Sequence, residues 1–181
     1  MIRMTFSRFV PVLLVAALLS AAPAATAAPP ERDKPENINF LVPKGEGCED
    51  FALRVEGTAS NANILTFRDE NGEIVRTITA GRGYTLTYSR LDAKGNVVDS
   101  LTLKPTGSVQ RVEVAPDGTQ TVVGTGTNGL ILFSSDESEI GDTPLAVQYT
   151  GRIVYTIDPV TGVFTLLSAS GKELDLCEAL A

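Results

Sequence analysis

Carboxylates and two thiols are the side chains through which this chain could do chemistry; across its 181 residues there is no histidine. Without histidine neither a Ser-His-Asp nor a Cys-His relay can be assembled, because no other side chain changes protonation near neutral pH without a large environmental shift. Carboxylates remain available for glycoside hydrolysis, which needs two acids roughly 5 to 9.5 Å apart across a cleft. Their positions in sequence bring no particular pair together, and with no tryptophan and only four tyrosines the aromatic platforms that hold sugar rings are sparse. The segment 134–142, SSDESEIGD, concentrates Asp136, Glu137, Glu139 and Asp142. That is the oxygen-rich composition calcium takes, but it lacks the ligand order of an EF-hand loop, so a solvated acidic loop is the simpler reading and no metal is expected. Gly124 to Gly129, GTGTNG, matches G-x-G-x-x-G. This pattern holds a dinucleotide only between a strand and a helix N-terminus. Here LILF follows, another strand pattern, so the segment reads as a glycine-kinked hairpin around Asn128 and Gly129. No catalytic residue and no cofactor is assigned, and the balance leans away from an enzyme.

The two thiols, Cys48 and Cys177, have no third cysteine to compete for either one. Their value depends on compartment, and the N-terminus addresses that. Arg3 and Arg8 precede an uncharged apolar run from Phe9 to Ala22, and Ala25 and Ala27 supply an A-x-A site. This is the pattern of a Sec-type signal peptide over residues 1–27, cut after Ala27; the run is short of the roughly 20 residues that span a bilayer. Export places the thiols in an oxidising environment, so a Cys48–Cys177 disulfide is expected. Loss of the leader removes two basic residues and no acidic one, leaving 13 basic against 22 acidic and a net charge of −9. Phosphate backbones and anionic membrane surfaces are both disfavoured as partners by that balance, and no anchor remains after cleavage.

Beyond the leader, residues 28–47 begin with the charged, proline-rich APPERDKPEN, which has nothing apolar to bury and reads as a flexible N-terminal segment. NFLVPKGEG follows, in which a short edge strand ends at Pro43. Residues 48–181 read as a single all-β domain. Phe51, Leu53 and Val55 alternate with Ala52, Arg54 and Glu56, a period of two that a helix cannot use. ILTFRDENGEIVRTIT is the clearest hairpin, and a two-residue Asn71-Gly72 turn sets Phe67 opposite Arg76 and Leu65 opposite Ile78. Tyr84, Leu86 and Tyr88 share a face. Turns follow at Asp92 to Asn96, Pro105 to Ser108, Ala115 to Gly118 and Pro159 to Gly162, and only KELDLCEAL has any helical character. The expectation is an antiparallel up-and-down meander of nine or ten strands, closed like a barrel or folded as a two-layer sandwich so that its edges are not left open.

Cys48 with Asp50 and Phe51, then LKPTGSVQRV, GTGTNGLILF and a closing LDLC form a layout that resembles small secreted proteins of actinobacteria without an assigned activity. The likeness covers most of the mature chain. It implies secretion and the same architecture, and no substrate or catalytic residue. Function is therefore framed by class. A binding module would take a small apolar molecule or an extracellular partner, at a mouth lined by residues such as Tyr84, Tyr88 and Arg76, although Arg76 among apolar neighbours is more commonly a side chain that snorkels its guanidinium to water. A structural protein of the cell exterior would instead fill its core with its own side chains and act through its loops; a monomer is expected in either case. A carboxylate-based enzyme is third. An enclosed space of several hundred Å³ would separate the first from the second.

Overall fold

The computed structural model describes residues 29–141 and 146–181, so the leader, its cleavage site and Asp142 lie outside the described residues. Ten strands and one short helix follow in order: β1 Glu31–Asp33, β2 Ile38–Val42, β3 Ala52–Arg68, β4 Ile74–Leu91, β5 Val97–Leu103, β6 Ser108–Val114, β7 Gln120–Ile131, β8 Glu137–Ser138, β9 Ala146–Ile157, β10 Phe164–Asp175 and α1 Leu176–Ala179. All ten strands belong to one sheet, antiparallel except where β8 runs parallel to β10. The sheet is open and does not close into the expected barrel; its path ends at β1 and β8, three and two residues long, and β2 and β5 branch from β3 and β4 as further edges. Residues 31–33, expected to be flexible, pair instead as β1 with Ile64–Thr66. β2 pairs only with β3, which makes it the edge strand anticipated before Pro43.

Turn chemistry sets the local hairpins. At the β3–β4 turn Gly72 N–H donates to Asp69 O at 3.1 Å and Asp69 N–H to Glu73 O at 2.9 Å, so the loop has three residues with Gly72 in the left-handed region, φ 85°. The expected two-residue turn is thus one residue short. A bulge next to Arg68 absorbs the difference, and Phe67 still faces Arg76 and Leu65 still faces Ile78. The turns at Asp92 and Ala115 repeat the same pair of hydrogen bonds. Turn aspartates cap these loops: Asp69 accepts from the Asn71 and Glu73 N–H groups, which hold its carboxyl below the usual carboxylate range.

The strands are not a simple meander, since β4 pairs with both β5 and β6 and β7 pairs with β9; a row of small residues also runs in register across the sheet. Ala62 pairs with Gly81, Gly81 with Ser108, Ser108 with Gly126, Gly126 with Gly151, and Gly151 with Gly171. Gly126 and Gly171 take φ of 87° and 115°, and a Cβ on Gly151 would run into the Ser170 carbonyl. At this row the sheet divides. Up to Gly81, β4 pairs with β6; from Leu86 onward, it pairs with β5. One arm therefore consists of β2, residues 52–60 of β3, residues 83–91 of β4, and β5. The other consists of the continuations of β7, β9 and β10 past the glycine row, with α1 attached.

Two apolar clusters hold this arrangement. The first joins Val42, Leu53, Val55 and Tyr88 of the first arm to Ala146, Leu176 and Leu180 of the second. The second joins Leu130, Val147 and Tyr149 to Ile153 and Leu166 on the far side of the glycine row. Residues Ala146 to Tyr149 are consequently buried on both faces of β9. Fully burying side chains of this size stabilises by roughly 1.5 to 3 kcal/mol each. The Cys48–Cys177 disulfide, with Cα atoms 5.5 Å apart, ties the connection between β2 and β3 to α1 and so fastens the two arms together.

Candidate functional site

Where the arms diverge from the rest of the sheet they leave a cleft of about 380 Å³ that is partly open to solvent, not the enclosed space expected of a carrier. The first arm contributes Val55, Leu86 and Tyr88 to its wall, and the second contributes Leu130, Ile131 and Gln148. Gln110, Ile153 and Tyr155, on strands beyond the glycine row, also line it, as does Tyr84 near the row itself. Tyr84, Leu86 and Tyr88 are brought to one wall by alternation, as expected. None of the described lining residues carries a charge.

The wall also carries polar side chains, Thr79, Ser108, Thr127 and Asn128 among them, and their bonding is uneven. Tyr88, 2% exposed, donates its hydroxyl to Gln148 Oε1 at 3.2 Å. Gln110 donates Nε2 to the Tyr155 hydroxyl at 2.8 Å. Tyr84 donates to the backbone carbonyl of Glu36 at 2.8 Å, which pins the stretch between β1 and β2 over this region. Burial pushes the Tyr88 and Tyr155 hydroxyls above the ordinary phenol value, the second opposed by its Gln110 bond; burial and the Glu36 charge do the same to Tyr84. All three therefore stay neutral at physiological pH. Gln148 differs: its residue is 5% exposed, and its Nε2 has no hydrogen-bond partner among the described residues. A buried amide left unpaired costs about 1–3 kcal/mol. Gly129, opposite Gln148 in register, is what admits the Tyr88 hydroxyl, since a Cβ there would collide with it.

Arg76 is not in this wall. Its guanidinium stacks 4.7 Å from the Phe67 ring centre and lies 3.8 Å from Glu113, with its side chain 36% exposed. It snorkels over its cross-strand neighbour, and the reading that set it beside Tyr84 and Tyr88 at a ligand mouth is corrected. GTGTNG is likewise not a hairpin: β7 runs through it from Gln120 to Ile131 without reversing. Its glycines serve the row across the sheet and the approach of Tyr88, and a strand continues where a dinucleotide site needs a helix. In the acidic segment, Asp136 accepts from the Phe133 N–H at 2.8 Å and the Phe164 N–H at 3.1 Å, so that carboxylate is committed to joining the loop to β10. Among the described residues no group of three or more potential ligands could hold a metal, and no carboxylate lines the cavity.

Gln148, Gln110 and Tyr155 escaped sequence reasoning. A signal existed for the first: Gln148 interrupts the apolar run LAVQY, where a polar side chain between two buried faces needs a partner. No protein-family model, curated protein or solved structure matches this chain. Among the described residues no helix is long and apolar enough to cross a membrane.

Proposed function

We propose that this protein is an exported binding module that holds a small, mainly apolar molecule in the cleft between its two arms. The observation that carries the reading is the cleft itself, about 380 Å³ with an uncharged and largely apolar wall, within the roughly 300–1,000 Å³ of small-molecule sites. The apolar contact between the arms supports describing that end of the molecule as a two-layer sandwich. Export is supported by the leader pattern of residues 1–27 and by the disulfide, which persists in an oxidising compartment. The acidic balance fits solubility outside the cell and a monomeric carrier without nucleic-acid partners.

Native mass spectrometry of the protein purified from its own culture medium tests this. A reproducible additional mass of roughly a few hundred daltons, lost on organic extraction, is the expected result. If successive preparations carry no such mass, and the extracted protein takes up no neutral fluorescent probe such as N-phenylnaphthylamine, the structural reading replaces the binding one.

A further inference from the structure

The sheet has an outer face whose chemistry the cleft does not use. Thr79, Gln110 and Ile153 line the cleft, so their chain neighbours Ile78, Arg111 and Arg152 point to the opposite side. Register extends that outer face across the strands from β1 to β9. Arg32, Leu65, Ile78, Arg111, Val123 and Val154 stand opposite one another in one row. Phe67, Arg76 and Glu113 belong to the row on one side of it. Asn63, Val109 and Arg152 belong to the row on the other side, where Lys34 donates to Asn63 Oδ1 at 2.7 Å. Each of these side chains is exposed or half-buried, and none belongs to either apolar cluster. The face thus holds five of the chain's 15 basic residues, Arg32, Lys34, Arg76, Arg111 and Arg152, against one of its 22 acidic ones, Glu113. Glu113 is shared by Arg76 and Arg111, while Arg32 and Arg152 have no ion-pair partner among the described residues.

We infer that this outer face docks an acidic, partly apolar polypeptide segment of another protein. Solubility is served by charge of either sign and does not call for this segregation. Nor does the negative net charge forbid the contact. The screening length at physiological salt is about 8 Å, shorter than the face, so an approaching acid meets the local cations ahead of the distant carboxylates. Apolar side chains between the cations decide the class of partner. Val109 is 44% exposed, and Leu65, Ile78, Val123 and Val154 are half-buried, so a polyphosphate would meet the cations and leave these in water. A polypeptide that carries both carboxylates and apolar side chains covers both. Strand and residue spacings give the face about 25 Å by 14 Å, well under the roughly 800 Å² per partner of a stable complex, so the contact is a transient one.

Fluorescence anisotropy with a labelled peptide of about twelve residues tests this, with glutamate and leucine in turn at every second position and serine between them, so that one side of the extended peptide presents both. The peptide is expected to bind the full protein at low salt and to lose about tenfold in affinity at physiological salt, and its glutamine-for-glutamate counterpart should bind about tenfold more weakly at low salt. Arg111→Gln combined with Arg152→Gln, both at exposed positions, should weaken the glutamate peptide about five- to tenfold while the thermal midpoint stays unchanged. Lys94→Gln, in the β4–β5 turn, should leave it within about twofold. Equal binding of the glutamine peptide, an effect of Lys94→Gln as large as that of the arginine pair, or an oligothymidylate of equal length bound as tightly as the peptide would each overturn the inference. So would peptide binding that is lost as the protein self-associates, which assigns the face to a second copy of this chain. Absence of peptide binding at every salt concentration overturns it outright, and none of these results bears on the cleft.

Discussion

Arg76 and Gln148 show how differently two polar residues on apolar strands are accommodated. Arg76 has an aromatic face to lie on, a carboxylate nearby and a route to water, so its charge is never fully desolvated. Exposed ion pairs contribute little, and Arg76→Gln should change stability by less than about 1 kcal/mol in denaturant titration and leave probe affinity as it was. A clear loss of probe binding in that variant would return Arg76 to the site. Gln148 has no such outlet, because both faces of β9 are covered at this point. Sequence alternation placed Tyr84 and Tyr88 on one face correctly, since two residues apart on a strand means the same side. It could not tell that Arg76, also on β4, falls outside the wall, because the row at Gly81 intervenes between it and the tyrosines.

At the scale of the elements, glycines carry two separate duties that look alike in sequence. Gly72 supplies a left-handed turn residue in open space, with nothing within 4 Å of an added Cβ. Gly151 supplies room between strands, where an added Cβ would meet the Ser170 carbonyl. Gly72→Ala should therefore cost about 1–2 kcal/mol, the ordinary penalty of an alanine in the left-handed region. Gly151→Ala should cost about 3 kcal/mol or more, because the β9–β10 pairing has to open at the point where the sheet divides. Chemical denaturation of both variants against the parent checks the order, and a Gly151→Ala protein as stable as the parent would mean that the glycine row does not shape the sheet. The same distinction explains why the Asn71-Gly72 segment was readable as a turn and the Asn128-Gly129 segment was misread as one. Both are Asn-Gly pairs between apolar runs; only the backbone and side chains lying alongside decide whether the chain reverses or passes through.

For the molecule as a whole, the disulfide joins the two arms across 129 residues of sequence, and both sulfurs belong to the apolar contact that closes them together. Its removal should lower stability by about 2–4 kcal/mol, and in this fold the loss should fall on the contact between the arms and on the cleft they border. Cys48→Ala combined with Cys177→Ala is expected to shift the unfolding midpoint down and weaken probe binding. An unchanged midpoint on reduction, or two thiols titrating in the native protein, would contradict the pairing. By itself the sequence determined the pleated elements, most of the turns, the β3–β4 register and the partner of each sulfur, because these follow from a period of two, from turn residues with few alternatives, and from there being only two cysteines. Tertiary structure decided that β4 changes partner from β6 to β5, that β7 lies beside β9, that the sheet stays open, and that a cleft survives where its arms part. Alternation reports which face of a strand is apolar and is silent on what covers it; whether it meets another strand or an open cleft depends on residues far along the chain.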